Sequence, residues 1–123
     1  EKNHRNGLGI PAGALEESET IKECILREVK EETGIEILEM EVIGISSSPG
    51  RETVINPNGD LIQYFTVEFY SRKWKGDLAI QDTKEIKRVF FKDKSYAQFL
   101  PPNERTIFDS LQFFEANGTI RVD

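Results

Sequence analysis

The chain has 123 residues, 16 of them basic and 22 acidic, for a net charge of −6, and that length suits one domain with one core. Ten of the acids lie between Glu16 and Glu41 beside only Lys22, Arg27 and Lys30, so this window is −7 and the other 97 residues sum to +1. No apolar stretch approaches the ~18 residues of a membrane span, and a net-acidic chain whose only basic run is Arg72–Lys75 is a poor general binder of DNA or RNA backbone, one basic groove staying open.

Cys24, the only cysteine, makes no internal disulfide, which fits a reducing, cytoplasmic setting. With a single histidine, His4, it leaves neither a zinc site nor a histidine-based triad. Chemistry here would have to rest on carboxylates and hard cations.

In chain order, residues 1–15 read as a loop, because Gly7, Gly9, Pro11 and Gly13 punctuate too densely for a regular element. Ser18 is placed to cap a helix over Glu19 through Glu32 that Gly34 stops. Ile35 to Ile45 alternates β-branched residues with glutamates and predicts a strand with one wet face, followed by a loop over Ser46–Gly50. A hairpin is expected next, with Thr53–Ile55 running up, a turn over Asn56–Asp60, and a long strand Leu61–Lys73 returning. In that strand Leu61, Phe65, Val67 and Phe69 are assigned to the core face, and Ile62, Tyr64, Thr66, Glu68, Tyr70 and Arg72 to the other. Ile86–Phe91 is a further strand candidate. Asn103 caps a second helix to about Ala116, with Ile107, Phe108, Leu111 and Phe114 as its buried stripe and Gly118 past its end. No repeat or linker interrupts this pattern, which describes a single mixed α/β domain over 1–123.

The first helix breaks two rules. Ile21, Cys24 and Ile25 share one face, and the same stripe continues as Glu28, Glu31 and Glu32. These carboxylates are neighbours at i, i+3 and i+4, which costs a few tenths of a kcal/mol. They also lie in the last turn, where the helix dipole disfavours negative charge by roughly 0.3–1 kcal/mol per group. An acid-rich helix face is usually just solvated, and Arg27 between Glu23 and Glu31 suits ordinary helix salt-bridging. A solvated face, however, should oppose the apolar stripe, not extend it. A divalent cation among the carboxylates removes both penalties, and oxygen ligands without histidine or cysteine suit Mg²⁺ or Mn²⁺.

The segment GALEESETIKECILREVKEETGI, Gly13 to Ile35, resembles the Nudix box: glycine, five residues, glutamate, seven residues, then Arg-Glu-U-x-Glu-Glu-x-Gly-U with U a bulky aliphatic residue. Gly13, Glu19, Arg27, Glu28, Val29, Glu31, Glu32, Gly34 and Ile35 fill every defined position. The resemblance implies an α/β/α sandwich around a mixed β-sheet. It also implies hydrolysis of a diphosphate that joins a nucleoside to another moiety, with Mg²⁺ or Mn²⁺ and an attacking water. By this likeness Glu28, Glu31 and Glu32 are metal ligands and Glu28 also helps deprotonate the water. Arg27 orients the carboxylates, and Glu19 is supportive. Ala12 stands where many relatives have a glycine whose carbonyl meets a metal; either residue supplies that carbonyl.

The resemblance also implies a further acid from a later loop as ligand or base, here Asp82 or Glu85, with Glu85 the first choice. Arg51, Tyr64 and Glu68 are candidates for substrate binding, although solvated loop charges and cross-strand packing are the commoner reasons for such residues. Cys24 reads as a small buried hydrophobe. Pro49, fourteen residues past Ile35, resembles a feature of ADP-ribose-type relatives, while proline in a loop has ordinary turn reasons too. Family domains carry a strand before the glycine-rich loop and this chain starts twelve residues before the box, so that strand is expected to be missing. An open sheet edge invites a partner, which leaves a homodimer open. The expected partner is otherwise a small nucleotide or nucleoside diphosphate derivative, without DNA or membrane. The alternative reading is a Nudix module that senses a nucleotide or ADP-ribose without hydrolysis. An isoprenoid diphosphate isomerase would need a cysteine in a suitable loop, and Cys24 lies on the box helix.

Overall fold

The computed structural model describes residues 9–80, 86 and 88–123. In chain order the elements are α1 Ile21–Thr33, β1 Glu36–Ser46, α2 Pro49–Glu52, β2 Thr53–Ile55, β3 Leu61–Gln63, β4 Thr66–Lys75, a 3₁₀ turn Lys94–Phe99, α3 Pro102–Asn117 and β5 Arg121–Val122. One sheet has the order β4-β1-β5, and β5 joins it parallel to β1 with Gly44 opposite Arg121 and Ile45 opposite Val122. A second, two-stranded sheet is the antiparallel pair β2-β3, in register Thr53 with Gln63 and Ile55 with Leu61. Helices with a mixed strand pattern place the chain in the α/β class, as the sequence predicts. Among the described residues no helix is long and apolar enough to cross a membrane.

Two compact units share these elements: one combines the chain up to Glu39 with Ser71–Glu104, and the other combines Met40–Tyr70 with Arg105–Asp123. In the first unit the buried run is Glu32 to Ile35, with Cys24. In the second, Ile43, Gly44, Ser46, Glu68 and Ser110 are buried.

Helix α1 starts at Ile21 and not Glu19, because Thr20 is its cap. The Thr20 side chain accepts from the Glu23 N–H at 3.0 Å and the Glu23 carboxylate accepts from the Thr20 N–H at 2.8 Å, a reciprocal capping box. Ser18, the expected cap, instead adopts φ 65°. At the other end Gly34 takes φ 81° and donates its N–H to the Lys30 carbonyl at 2.9 Å, the helix stop read from the sequence. A Cβ on Gly34 would also lie 2.6 Å from the Ala79 carbonyl oxygen.

The hairpin forms as expected, closed by Asn56 N–H to Asp60 O and Gly59 N–H to Asn56 O, both 2.8 Å, with Gly59 at φ 93°. The long return strand does not. It breaks after Gln63, where the Tyr64 N–H turns to the Glu52 carbonyl at 2.9 Å, and resumes at Thr66. The face assignment fails with it: Leu61 and Phe65 are exposed, Val67 and Phe69 are half-buried, and Glu68 from the supposedly outer face is buried. Pro49–Glu52 is a short helical turn where a loop was expected up to Gly50. Of the Ile86–Phe91 segment, Ile86, Arg88, Val89, Phe90 and Phe91 are described and lie in no strand. Helix α3 begins at Pro102, so Asn103, the expected cap, lies inside it, and it runs one residue past Ala116; Ile107, Phe108, Leu111 and Phe114 are half-buried and Ser110 is wholly buried.

Candidate functional site

All box carboxylates fall in the first unit, on α1 and the turn that leads into it. Arg27 is their organiser. Its Nε and Nη2 donate to the two oxygens of Glu19, each at 2.8 Å, the fork geometry that guanidinium and carboxylate share. Nη2 also donates to the Ala14 carbonyl at 3.3 Å. Its Nη1 lies 3.4 Å from Glu31 and 3.6 Å from both Glu28 and Glu16. One guanidinium therefore faces four acids, and this offsets much of the repulsion that the sequence puts into one helix face.

The protonation equilibria follow. Hydrogen bonding from Arg27, and next from the Glu16 N–H, lowers the Glu19 carboxyl from 4.5 to about 2. The same pairing raises Arg27 further above its already high value. Burial, with the Glu19 charge adding to it, pushes the Cys24 thiol up, so this cysteine is a protonated, covered side chain and not a nucleophile.

Glu28 and Glu32 point inward and Glu31 outward. The Glu28 side chain is 15% exposed against 41% for Glu31, and Glu32 is buried at 4%. The Glu28 carboxylate lies directly against the backbone of Gly13, and a side chain at position 13 would push it aside. Glu32 accepts a hydrogen bond from the Ala12 N–H at 3.1 Å. Among the described residues no group of three acids is gathered about one point as a metal centre. Glu28 and Glu31 are held toward Arg27, and Glu32 is held toward the loop.

The other sequence candidates lie elsewhere. Asp82, Glu85 and His4 are outside the described residues. Arg51, Tyr64 and Glu68 belong to the second unit. Arg51 bonds Asp123 at 2.9 Å, Glu52 at 3.4 Å and the Ser46 hydroxyl, so its fork is already engaged with protein. Tyr64 is exposed. Glu68 accepts from the Ser110 hydroxyl at 2.5 Å, and Ser110 accepts in turn from Arg121 Nε at 3.2 Å. Gly44 makes room for this, since a Cβ there would overlap the Glu68 carboxylate. Sequence reasoning missed Ser110 and Arg121, whose only local signal was a serine on the inner side of an otherwise apolar helix stripe.

A NUDIX domain family model matches residues 1–111. An ADP-ribose pyrophosphatase of Methanocaldococcus jannaschii is 31% identical over 107 residues, covering 86% of this chain and 58% of that protein. The NAD-capped RNA hydrolase NudC of Vibrio vulnificus is 48% identical over 42 residues, 33% of this chain and 16% of the relative. The α/β elements, the box carboxylates and the match thus agree, and the chain belongs to the Nudix domain family. It spans a little over half the length of the first of these relatives and about a sixth of the second.

Proposed function

We propose that the chain is one Nudix domain that hydrolyses a diphosphate bond in a nucleoside diphosphate linked to another moiety, with an ADP-ribose-like compound as the first substrate to try. The observation that carries this reading is the seating of Glu28: a largely covered carboxylate midway along α1, pressed onto the bare backbone of Gly13 and flanked by further acids. Arg27, 3.6 Å from Glu28, is shared among four carboxylates, and a divalent cation would offset the negative charge that one guanidinium leaves over. Likeness to the archaeal ADP-ribose pyrophosphatase over most of the chain supports the choice of substrate, as does Pro49 beyond the box.

The donor set fits a hard divalent cation. Glu28, Glu31 and Glu32 would hold Mg²⁺ or Mn²⁺ with oxygen alone, helped by the carbonyl of Ala12. When bound, such a cation neutralises phosphate oxygens and lowers the pKa of the attacking water. The chain's own part is to place Glu28 where it takes the water's proton. A new P–O bond forms at one phosphorus, the bridging P–O bond breaks, and the second phosphate leaves with the bridging oxygen. Arg27, locked by Glu19, keeps Glu28 and Glu31 in position.

Glu28→Gln tests the reading, since it keeps size and shape and removes the base. Turnover of ADP-ribose with Mg²⁺ should fall by about 10²–10⁴-fold, with the far-ultraviolet dichroism unchanged. Equal turnover in the two proteins would overturn it. Chelation of divalent ions should abolish turnover in the parent chain, and Mn²⁺ should restore it.

A further inference from the structure

From Ser71 to Glu104 the described side chains are sorted in an unusual way. No leucine, isoleucine or valine there is exposed, while the exposed large apolar residues, Trp74, Phe90, Phe91 and Phe99, are all aromatic. Burial driven by apolar area alone should cover the largest rings first. The rings form two groups. Trp74 and Phe91 lie with centroids 5.2 Å apart, tilted 31°. Tyr96 meets Phe90 at 6.2 Å and Phe99 at 4.9 Å.

Cations sit on the second group. Arg88 and Lys92 are each 5.7 Å from the Phe90 centroid, and Lys92 is 5.1 Å from that of Tyr96. Flat rings left in solvent beside held cations supply the two components of single-strand binding, stacking and phosphate neutralisation. A lipid-binding face carries leucine beside its tryptophan and phenylalanine, and no leucine, isoleucine or valine described in this segment is exposed. The net charge of −6 does not oppose this, because the acidity is concentrated between Glu16 and Glu41.

We propose that the exposed rings and cations of this segment bind single-stranded nucleic acid, with bases stacking on Trp74, Phe91 and Phe99 and phosphates meeting Arg88 and Lys92. Such binding uses none of the α1 carboxylates. Trp74 is the sole tryptophan, so its emission reports the event directly. The 123-residue chain is titrated with an unstructured oligouridylate of about twelve nucleotides, an abasic oligomer of equal charge, and vesicles of phosphatidylcholine and phosphatidylserine, with the mass followed by sedimentation. Quenching of Trp74 by the oligouridylate and not by the abasic oligomer is expected. Two neutralised phosphates give a salt slope of about −1.4, a roughly sevenfold weakening for a fourfold rise in salt. Phe99→Ala should weaken binding roughly tenfold, and Lys92→Gln, at an exposed position, should flatten the salt slope. Equal response to the abasic oligomer, quenching by vesicles alone, or self-association that hides Trp74 would each overturn the proposal.

Discussion

Arg27 grips Glu19 with two hydrogen bonds of 2.8 Å across eight residues of chain. The pair ties the turn before α1 to the middle of that helix, and the remaining guanidinium nitrogen is left facing Glu28 and Glu31. Supporting and candidate catalytic carboxylates thus share a single cation.

This pairing gives a pH dependence with a definite sign. The Glu19 carboxyl is lowered from 4.5 to about 2 in the folded chain. Its stabilisation is therefore complete above about pH 4.5 and is lost as pH falls toward 2. Urea unfolding of the parent chain and Glu19→Gln across that range should show the parent's advantage shrinking steadily on acidification. A constant gap between the two would mean that the pair contributes nothing.

Gly13→Ala places a methyl group where the Glu28 carboxylate lies. Helix α1 itself is untouched, so the melting temperature should move little. Mn²⁺ affinity by calorimetry, and turnover with it, should fall roughly 10–100-fold, as for other losses of support behind a ligand.

Gly34→Ala should act on stability instead. The left-handed φ of 81° alone costs a side chain about 1–2 kcal/mol, and the added carbon would lie 2.6 Å from the Ala79 oxygen. A thermal melt several degrees lower is expected, with the loop around Ala79 displaced.

In the second unit, Ser110→Ala removes the hydroxyl that joins Glu68 to Arg121. A hydrogen bond to a carboxylate in a buried place contributes about 1.5–3 kcal/mol. Chemical denaturation should show a loss of that size. A loss no greater than that of an exposed serine such as Ser95 would show that Glu68 finds another partner.

These sites differ in how far the sequence discloses them. Gly34 was legible as a helix stop because its requirement is local: one residue must turn left-handed. The start of α1 was also written locally, as Thr20 with Glu23 three residues on, and Ser18 misleads only because it has no glutamate in that place. Of the stripe read from helical period, Cys24, Glu28 and Glu32 are covered, while Ile21 is exposed and Glu31 points outward. Strand alternation was a weaker guide. It groups Leu61 with Phe65 and Glu68 with Tyr64, but it cannot say which group lies inside. That choice depends on Ser110, Arg121 and the bare Gly44, residues between 24 and 53 positions from Glu68 along the chain that together make a polar seat for a carboxylate. The strand break at Tyr64 likewise depends on a carbonyl twelve residues earlier.

Cys24, covered at 7% exposure and kept protonated by its surroundings, makes this chain its own timer for local opening. An alkylating reagent can reach the sulfur only in molecules whose helix has come loose. The labelling rate, divided by that of a free thiol at the same pH, then measures how often α1 opens, at a residue one turn from Arg27 and without an introduced probe.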